Sequence, residues 1–309
     1  MTVELRAPTL DDLEQLTELI NRDGQELHGQ PEESIESMQQ WLTGPKLNPE
    51  TDIRVAVVDG TFRGYVDIDA DPDPTYWVDL RVPLSEEREV RVALMDWAEK
   101  RAAQRGAGKA GARVRFFSAS NDEPFKAMLA TRGYRPIRDF FRMQIGLTEA
   151  AAEPEWPKGL TVRSATPADA EAVYEAHQES FEDSWEHNRM AFDEWRHWLM
   201  PEELDPTLWF LAEDGPELAA VAICREHEGE AGLGWVQVLG VRRPWRRRGL
   251  GRALLLHAFE EFRRRGFHAA ALGVDATSLT GANRLYESVG MQVVRLSHAY
   301  EKELGAGSV

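Results

Sequence analysis

The stretch VLGVRRPWRRRGLGRALL, residues 238–255, sets five arginines among positions 242–248, directly ahead of two glycines and an apolar helical run. The chain as a whole carries 53 acidic against 36 basic residues, a formal charge of −17, so this positive block calls for a local anion. Gly249 and Gly251 fall between a β-type run ending at Val241 and the first turn of a predicted helix. That setting suits a phosphate. Without a Cβ the chain turns tightly and its N–H groups face the ligand, backed by the helix N-terminus. Arg246 and Arg248 add charge-assisted contacts to phosphate oxygens. A merely solvated arginine face is the plain alternative, and the glycine spacing argues against it. The stretch fits neither the G-x-x-x-x-G-K-[ST] loop of NTPases nor the dinucleotide pattern G-x-G-x-x-G.

At 309 residues and 42% hydrophobic, the chain is long enough for two domains. An internal repeat supports that division. Arg6 recurs as Arg163, Asp12 as Asp169 and Gly133 as Gly290, each 157 residues later, and Val82 recurs as Val241 with an offset of 159. Residues 149–159, rich in proline and charge, read as a linker between a domain at 1–148 and a domain at 160–309. The single cysteine, Cys224, sits in an apolar run and excludes an intrachain disulfide. A basic leader followed by an apolar stretch is missing, and no window approaches eighteen apolar residues, so a cytoplasmic protein off the membrane is expected. A sequence pI near 5.0 disfavours nucleic acid. No metal is expected, and a monomer or homodimer is.

In the second half, the periodicity predicts the order β-α-α-β-β-β-α-β-α-β-β. Thr166, Pro167 and Asp169 open the first helix. Leu250, Leu254, Ala258 and Phe262 make one face of the helix behind the loop, which stops at Gly266. Two final strands over 291–304 are expected to close as a hairpin. The fold class is α/β, a mixed sheet flanked by helices.

The pattern R-x-x-G-x-G of Arg246, Gly249 and Gly251, after LGV on a strand, resembles the acetyl-CoA loop of the GCN5-related N-acetyltransferases, the GNAT superfamily. About 35 residues on, TGANRLYESVGM resembles the family's second signature, a tyrosine four residues before a glycine, with Met291 where an aromatic is usual. The resemblance implies two tandem GNAT-like domains, each mostly antiparallel and splayed between its fourth and fifth strands. Acetyl-CoA is the implied co-substrate. Its pantetheine arm would lie in the splay against Leu239 and Val241 as a pseudo-strand, and its pyrophosphate on Arg246, Arg247, Arg248, Gly249, Leu250, Gly251 and Arg252, with Asn283 and Tyr286 nearby. By the same resemblance the Leu239 N–H meets the oxyanion, and Tyr286 protonates the departing thiolate after direct attack by the primary amine of a small molecule. Tandem proteins of this type, such as mycothiol synthase and its relatives, are similar over the second half and in outline over the first.

Two departures stand out. The strand before the loop bears no acid where the family often has a glutamate base; Trp235 and Gln237 occupy the plausible positions. Acceptor-side candidates are Gln237 and, between the first two helices, Glu182, Asp183, Glu186 and His187, with Glu182 or Asp183 expected to hold a cationic amine. The missing acid leaves a catalytically silent CoA-binding or regulatory protein as the alternative. In the first half, aligning Val82 with Val241 sets Glu87 at Arg246, Val90 at Gly249 and Val92 at Gly251, and Leu129 at Tyr286. That domain is expected not to bind CoA, because acids repel a diphosphate and side chains block its approach.

Overall fold

The computed structural model describes residues 2–45, 47–70, 74–150, 152–200, 205–227, 229–277 and 281–304, with the main chain only at residue 70. The first half runs β1 (Glu4–Arg6), α1 (Leu13–His28), α2 (Ile35–Leu42), α3 (Pro49–Asp52), β2 (Ile53–Val58), β3 (Thr61–Ala70), β4 (Thr75–Arg81), α4 (Arg88–Gly106), β5 (Arg113–Ala119), α5 (Glu123–Thr131) and β6 (Arg135–Gly146). The second repeats it as β7 (Leu160–Ser164), α6 (Ala170–Phe181), α7 (Phe192–Leu199), β8 (Trp209–Asp214), β9 (Glu217–Glu226), β10 (Leu233–Val241), α8 (Leu250–Arg264), β11 (Ala269–Asp275), α9 (Ala282–Ser288) and β12 (Gln292–Glu303). No described helix is long and apolar enough to cross a membrane.

The repeat reaches individual hydrogen bonds. Arg6 grips Asp12 through two nitrogens at 2.7 and 2.6 Å, and Arg163 grips Asp169 at 2.9 and 2.8 Å. Each aspartate also accepts the main-chain N–H of the residue three before it, Thr9 or Thr166, at 2.8 Å. One orphan N–H of each helix entrance is thereby satisfied.

Two compact units result, and each borrows its last strand from the other half of the sequence. The first comprises residues 1–139, 228–230 and 295–309; the second, residues 140–227 and 231–294. In the first unit the strand order is β1-β2-β3-β4-β5-β12, with β12 antiparallel to β5. In the second it is β7-β8-β9-β10-β11-β6, with β6 antiparallel to β11. The expected terminal hairpin is therefore a single strand. Residues 292–303 contain no glycine, proline or asparagine to turn the chain, and Ala299 and Glu301 on one face of β12 are buried.

In the second unit α8 packs its expected face, Leu250, Leu254, Ala258 and Phe262, on one side of the sheet. Across the sheet, α6 and α7 close a smaller core on Trp195, Trp209, Ile223 and Val238. Cys224 is fully buried, and burial holds its thiol well above the usual range, so it is inert packing.

Candidate functional site

In the second unit, β10 and β11 run parallel for only three residue pairs, ending at Trp235 opposite Ala271. β9, by contrast, stays with β10 as far as Val241. The strands part over the second half of β10. A β-bulge between Val236 and Val238 sets which groups face the opening, with Gln237 as the extra residue. Beyond it, the Arg242 N–H bonds the Ala219 carbonyl on the β9 side at 3.0 Å. Antiparallel alternation then turns the N–H groups of Leu239 and Val241 the other way, to where β11 has departed.

The arginine loop leads from Val241 to α8. Gly249 caps the helix at φ +90, and Arg247 precedes it at φ +61, two left-handed positions that let the turn end with its amides outward. No heavy atom outside the turn stands within 4 Å of where a Gly249 Cβ would be. Gly251 is different. A Cβ there would meet Leu285 at 3.1 Å, so glycine seats the first turn of α8 against α9. The first intrahelical bond runs from Ala253 N–H to the Gly249 carbonyl, leaving the amides before it without helical partners.

The arginines divide into two sets. Arg242 holds Glu179, and Arg243 holds Glu182 at 3.1 Å and Asp183 at 2.8 Å. Arg246 donates to Asp183 at 2.6 Å, to the Ser180 carbonyl at 3.0 Å and to the Val241 carbonyl at 3.1 Å. These three fasten the loop to the end of α6. The two guanidinium groups draw the Asp183 carboxyl down to about 2. Glu182 and Asp183, expected to meet a cationic amine, are thus already neutralised by arginine. Arg248 reaches Asp214 only at 3.9 Å, and Arg247 and Arg252 form no ion pair among the described residues. These last three are not fastened to α6 among the described residues.

Tyr286, on α9, has a buried ring, and burial pushes its phenol up to about 12, so it is a neutral proton donor at pH 7. Its hydroxyl has no hydrogen-bond partner among the described residues. Asn283 donates to the Ala276 carbonyl at 2.8 Å and so ties the end of β11 to the start of α9.

On the acceptor side, Trp235 donates to Gln237 Oε1 at 3.0 Å. Trp185 packs on Phe140 with ring centroids 6.4 Å apart, and Phe140 pairs with Asp275 at the end of β11, so the α6–α7 connection passes beside the opening. Glu186, in that connection, sits at φ +50. Burial lowers the His187 imidazole below its ordinary 6.5, and its Nε2 is enclosed without a partner among the described residues. His177 escapes sequence reasoning because it reads as an ordinary helix residue. Its Nδ1 accepts the Trp195 indole N–H at 2.8 Å, and burial with nearby His187 lowers it to about 4. Trp donates only, so the His177 proton rests on Nε2 and the ring offers a donor there rather than a base.

The second unit is thus a mixed sheet whose fourth and fifth strands part beside a glycine-led helix N-terminus. The Acetyltransferase (GNAT) family matches residues 170–291. A GCN5-related N-acetyltransferase of Sphaerobacter thermophilus is 31% identical, with a TM-score of 0.80 over 98% of this chain and 96% of that one. A mycothiol acetyltransferase of Thermobispora bispora is 35% identical over 178 residues, 56% of this chain and 60% of that protein. The chain therefore spans less than two thirds of this curated relative. A tandem GNAT protein from the clavulanic acid biosynthesis pathway, 16% identical with a TM-score of 0.78 over 98% and 99% of the two chains, shares the fold. The chain belongs to the GCN5-related N-acetyltransferase family, acyltransferases that take acetyl-CoA as co-substrate.

Proposed function

We propose that the second unit transfers an acetyl group from acetyl-CoA to the primary amine of a small molecule, by direct attack within a ternary complex. The parting of β10 from β11 after Trp235 carries this reading, because it opens two amides toward an extended ligand where a sheet would otherwise close. The pantetheine arm pairs with Leu239 and Val241. Val241, whose carbonyl already accepts from Arg246, contributes its N–H alone. The diphosphate rests on the amides before Ala253, with Arg247, Arg248 and Arg252 around it. Arg246 acts one step back, holding the loop to α6. The Leu239 N–H meets the developing oxyanion, and Tyr286 gives its proton to the departing thiolate. Gln237 and His187 face the acceptor.

The 35% identity to a mycothiol acetyltransferase supports a small amine on a thiol-bearing acceptor as the first class to test. Screening amines with acetyl-CoA and following thiol release tests the whole reading. Turnover with at least one amine is expected; CoA binding without turnover on any of them would favour the silent CoA-binding alternative.

A further inference from the structure

Each unit sets a tryptophan where its two parallel strands part, and the units differ in what lies beside it. Trp77 stands in the third residue pair of β4 with β5, opposite Arg115, and Trp235 in the third pair of β10 with β11, opposite Ala271. Two residues on from Arg115 and from Ala271, and on the same face of the sheet, come Phe117 and Gly273. The Phe117 ring stacks on Trp77, with centroids 4.7 Å apart and planes 12° from parallel. In the second unit, glycine omits that ring.

The place beside Trp235 stands open. A Cβ built on Gly273 would meet Trp235 Cζ2 at 3.9 Å, an ordinary contact, and no other heavy atom within 4 Å among the described residues beyond its chain neighbours. Gly273 is exposed although β11 is an interior strand, with β10 on one side and β6 on the other. A glycine inside a strand weakens it, and one reason to keep it is the close approach of a ligand. Leu272 and Val274 turn to the α8 core, so Gly273 faces the other way, on the side where Trp185 packs on Phe140. It lies just past the last β10–β11 pair, at the mouth of the opening. Trp235 is fixed in place there. Its Nε1 donates to Gln237 at 3.0 Å, Arg142 Cζ lies 5.4 Å from its ring centre and the His227 ring 5.3 Å away.

We propose that the acceptor is an amine bearing an aromatic ring, and that this ring lies over Gly273 against the Cζ2 edge of Trp235. The inference rests on the transfer reading above and names its substrate class. The indole edge meets the face of the acceptor ring, one of the arrangements that aromatic pairs favour. The ring takes the room that the first unit gives to Phe117.

Calorimetry on the CoA-saturated full chain at pH 8, titrated with 2-phenylethylamine and with ethylamine, tests it. Both carry the same ammonium group, so their difference isolates the ring. 2-Phenylethylamine is expected to bind at least ~10-fold more tightly, through burial of the ring. Gly273→Phe installs the side chain that the first unit carries there and is expected to cancel the preference, with the CoA Kd unchanged. Gly273→Val, smaller and a strand former, should reduce it, and it decides the matter if the larger side chain disturbs the sheet. Equal affinity for the two amines, no binding of 2-phenylethylamine, or a preference that survives both substitutions overturns the proposal. Thiol release with other amines but no ring preference would sink this proposal and spare the transfer reading; a ring preference with no release from any amine would do the reverse.

Discussion

Val82, one residue past β4, and Val241, the last residue of β10, each have the carbonyl capped by an arginine, but the two arginines come from different places. In the second unit, Arg246 reaches Val241 from the loop and leaves the helix entrance open. In the first, Arg91 reaches Val82 at 2.7 Å from inside α4, lies 7% exposed, and is held by both oxygens of Asp122 at 2.9 Å. The buried faces fix the correspondence. Val90, Leu94, Ala98, Ala102 and Gly106 recur 160 residues later as Leu250, Leu254, Ala258, Phe262 and Gly266. This register corrects the sequence alignment by one residue, placing Glu86 at Arg246, Glu89 at Gly249 and Arg91 at Gly251. The reason is that the strand and the helix keep their own offsets, and the loop between them absorbs the difference. Where the second unit has a glycine, the first has a buried guanidinium. Its N-cap is Glu87, an acid with no side-chain capping bond, in place of Gly249. Volume and charge both argue against a diphosphate there, which supports the proposal that only the second unit takes acetyl-CoA. The brace to the preceding helix persists with its polarity reversed: Arg22 on α1 holds Glu86 at 2.8 Å, where Glu179 on α6 holds Arg242.

The largest test of this contrast is Arg91→Ala. It strands Asp122 as a buried, uncompensated charge, and urea unfolding should show a loss of about 3–5 kcal/mol. Gly251→Ala, the corresponding change in the second unit, should cost no more than about 1–3 kcal/mol, through the 3.1 Å approach to Leu285. Equal losses would mean that the two positions are not equivalent.

Gly249→Val forces a branched side chain to φ +90 and closes the cradle. By calorimetry, acetyl-CoA should bind at least ~100-fold more weakly, about 2.7 kcal/mol, with the far-UV spectrum unchanged. Glu89→Gly in the first unit should create no second binding event. Cutting the chain between its halves is a poor version of this experiment, because each unit would lose its borrowed strand.

A smaller effect is expected from Tyr286→Phe: kcat lower by about 30-fold, within reach of losing a general acid, and the acetyl-CoA Kd unchanged. Because burial holds the phenol neutral up to about 12, no alkaline fall of the rate between pH 8 and 10 should trace to this residue. A Tyr286→Phe enzyme with normal kcat would remove the tyrosine from the chemistry.

Smallest, and equal in the two units, should be Asp12→Ala and Asp169→Ala, each costing roughly 1 kcal/mol through the lost helix-entrance bond. Arg6 and Arg163 depress these carboxyls, Asp12 to about 2. A depressed carboxyl contributes stability above its ordinary 3.8, and that contribution fades as the pH falls toward 2. The Tm deficit of either variant should therefore be present at pH 5 and shrink at pH 2.

Much of this was legible before any coordinates. Glycine spacing pointed to the left-handed turn at the start of α8, because such a turn before a helix restricts the residue type. The 157-residue repeat gave two units because Arg6–Asp12 and Arg163–Asp169 are local pairs, close in sequence. The arginines were harder. Arg246 and Arg248 look alike in a run, and only the position of α6 decides that Arg246 is spent on Asp183 and two carbonyls while Arg248 faces outward. His177 gave no signal, since its tautomer depends on Trp195, which lies on a different helix.

By itself, the sequence determined that this chain is a duplicated α/β fold with a glycine-led turn into one helix, because turn chemistry, helix periodicity and repeat spacing are all short-range properties. Tertiary structure alone decided which strand completes which unit, which arginines remain to meet a ligand, and that Arg91 plugs the first unit. Those outcomes depend on partners more than thirty residues away in the chain, and no local pattern records them.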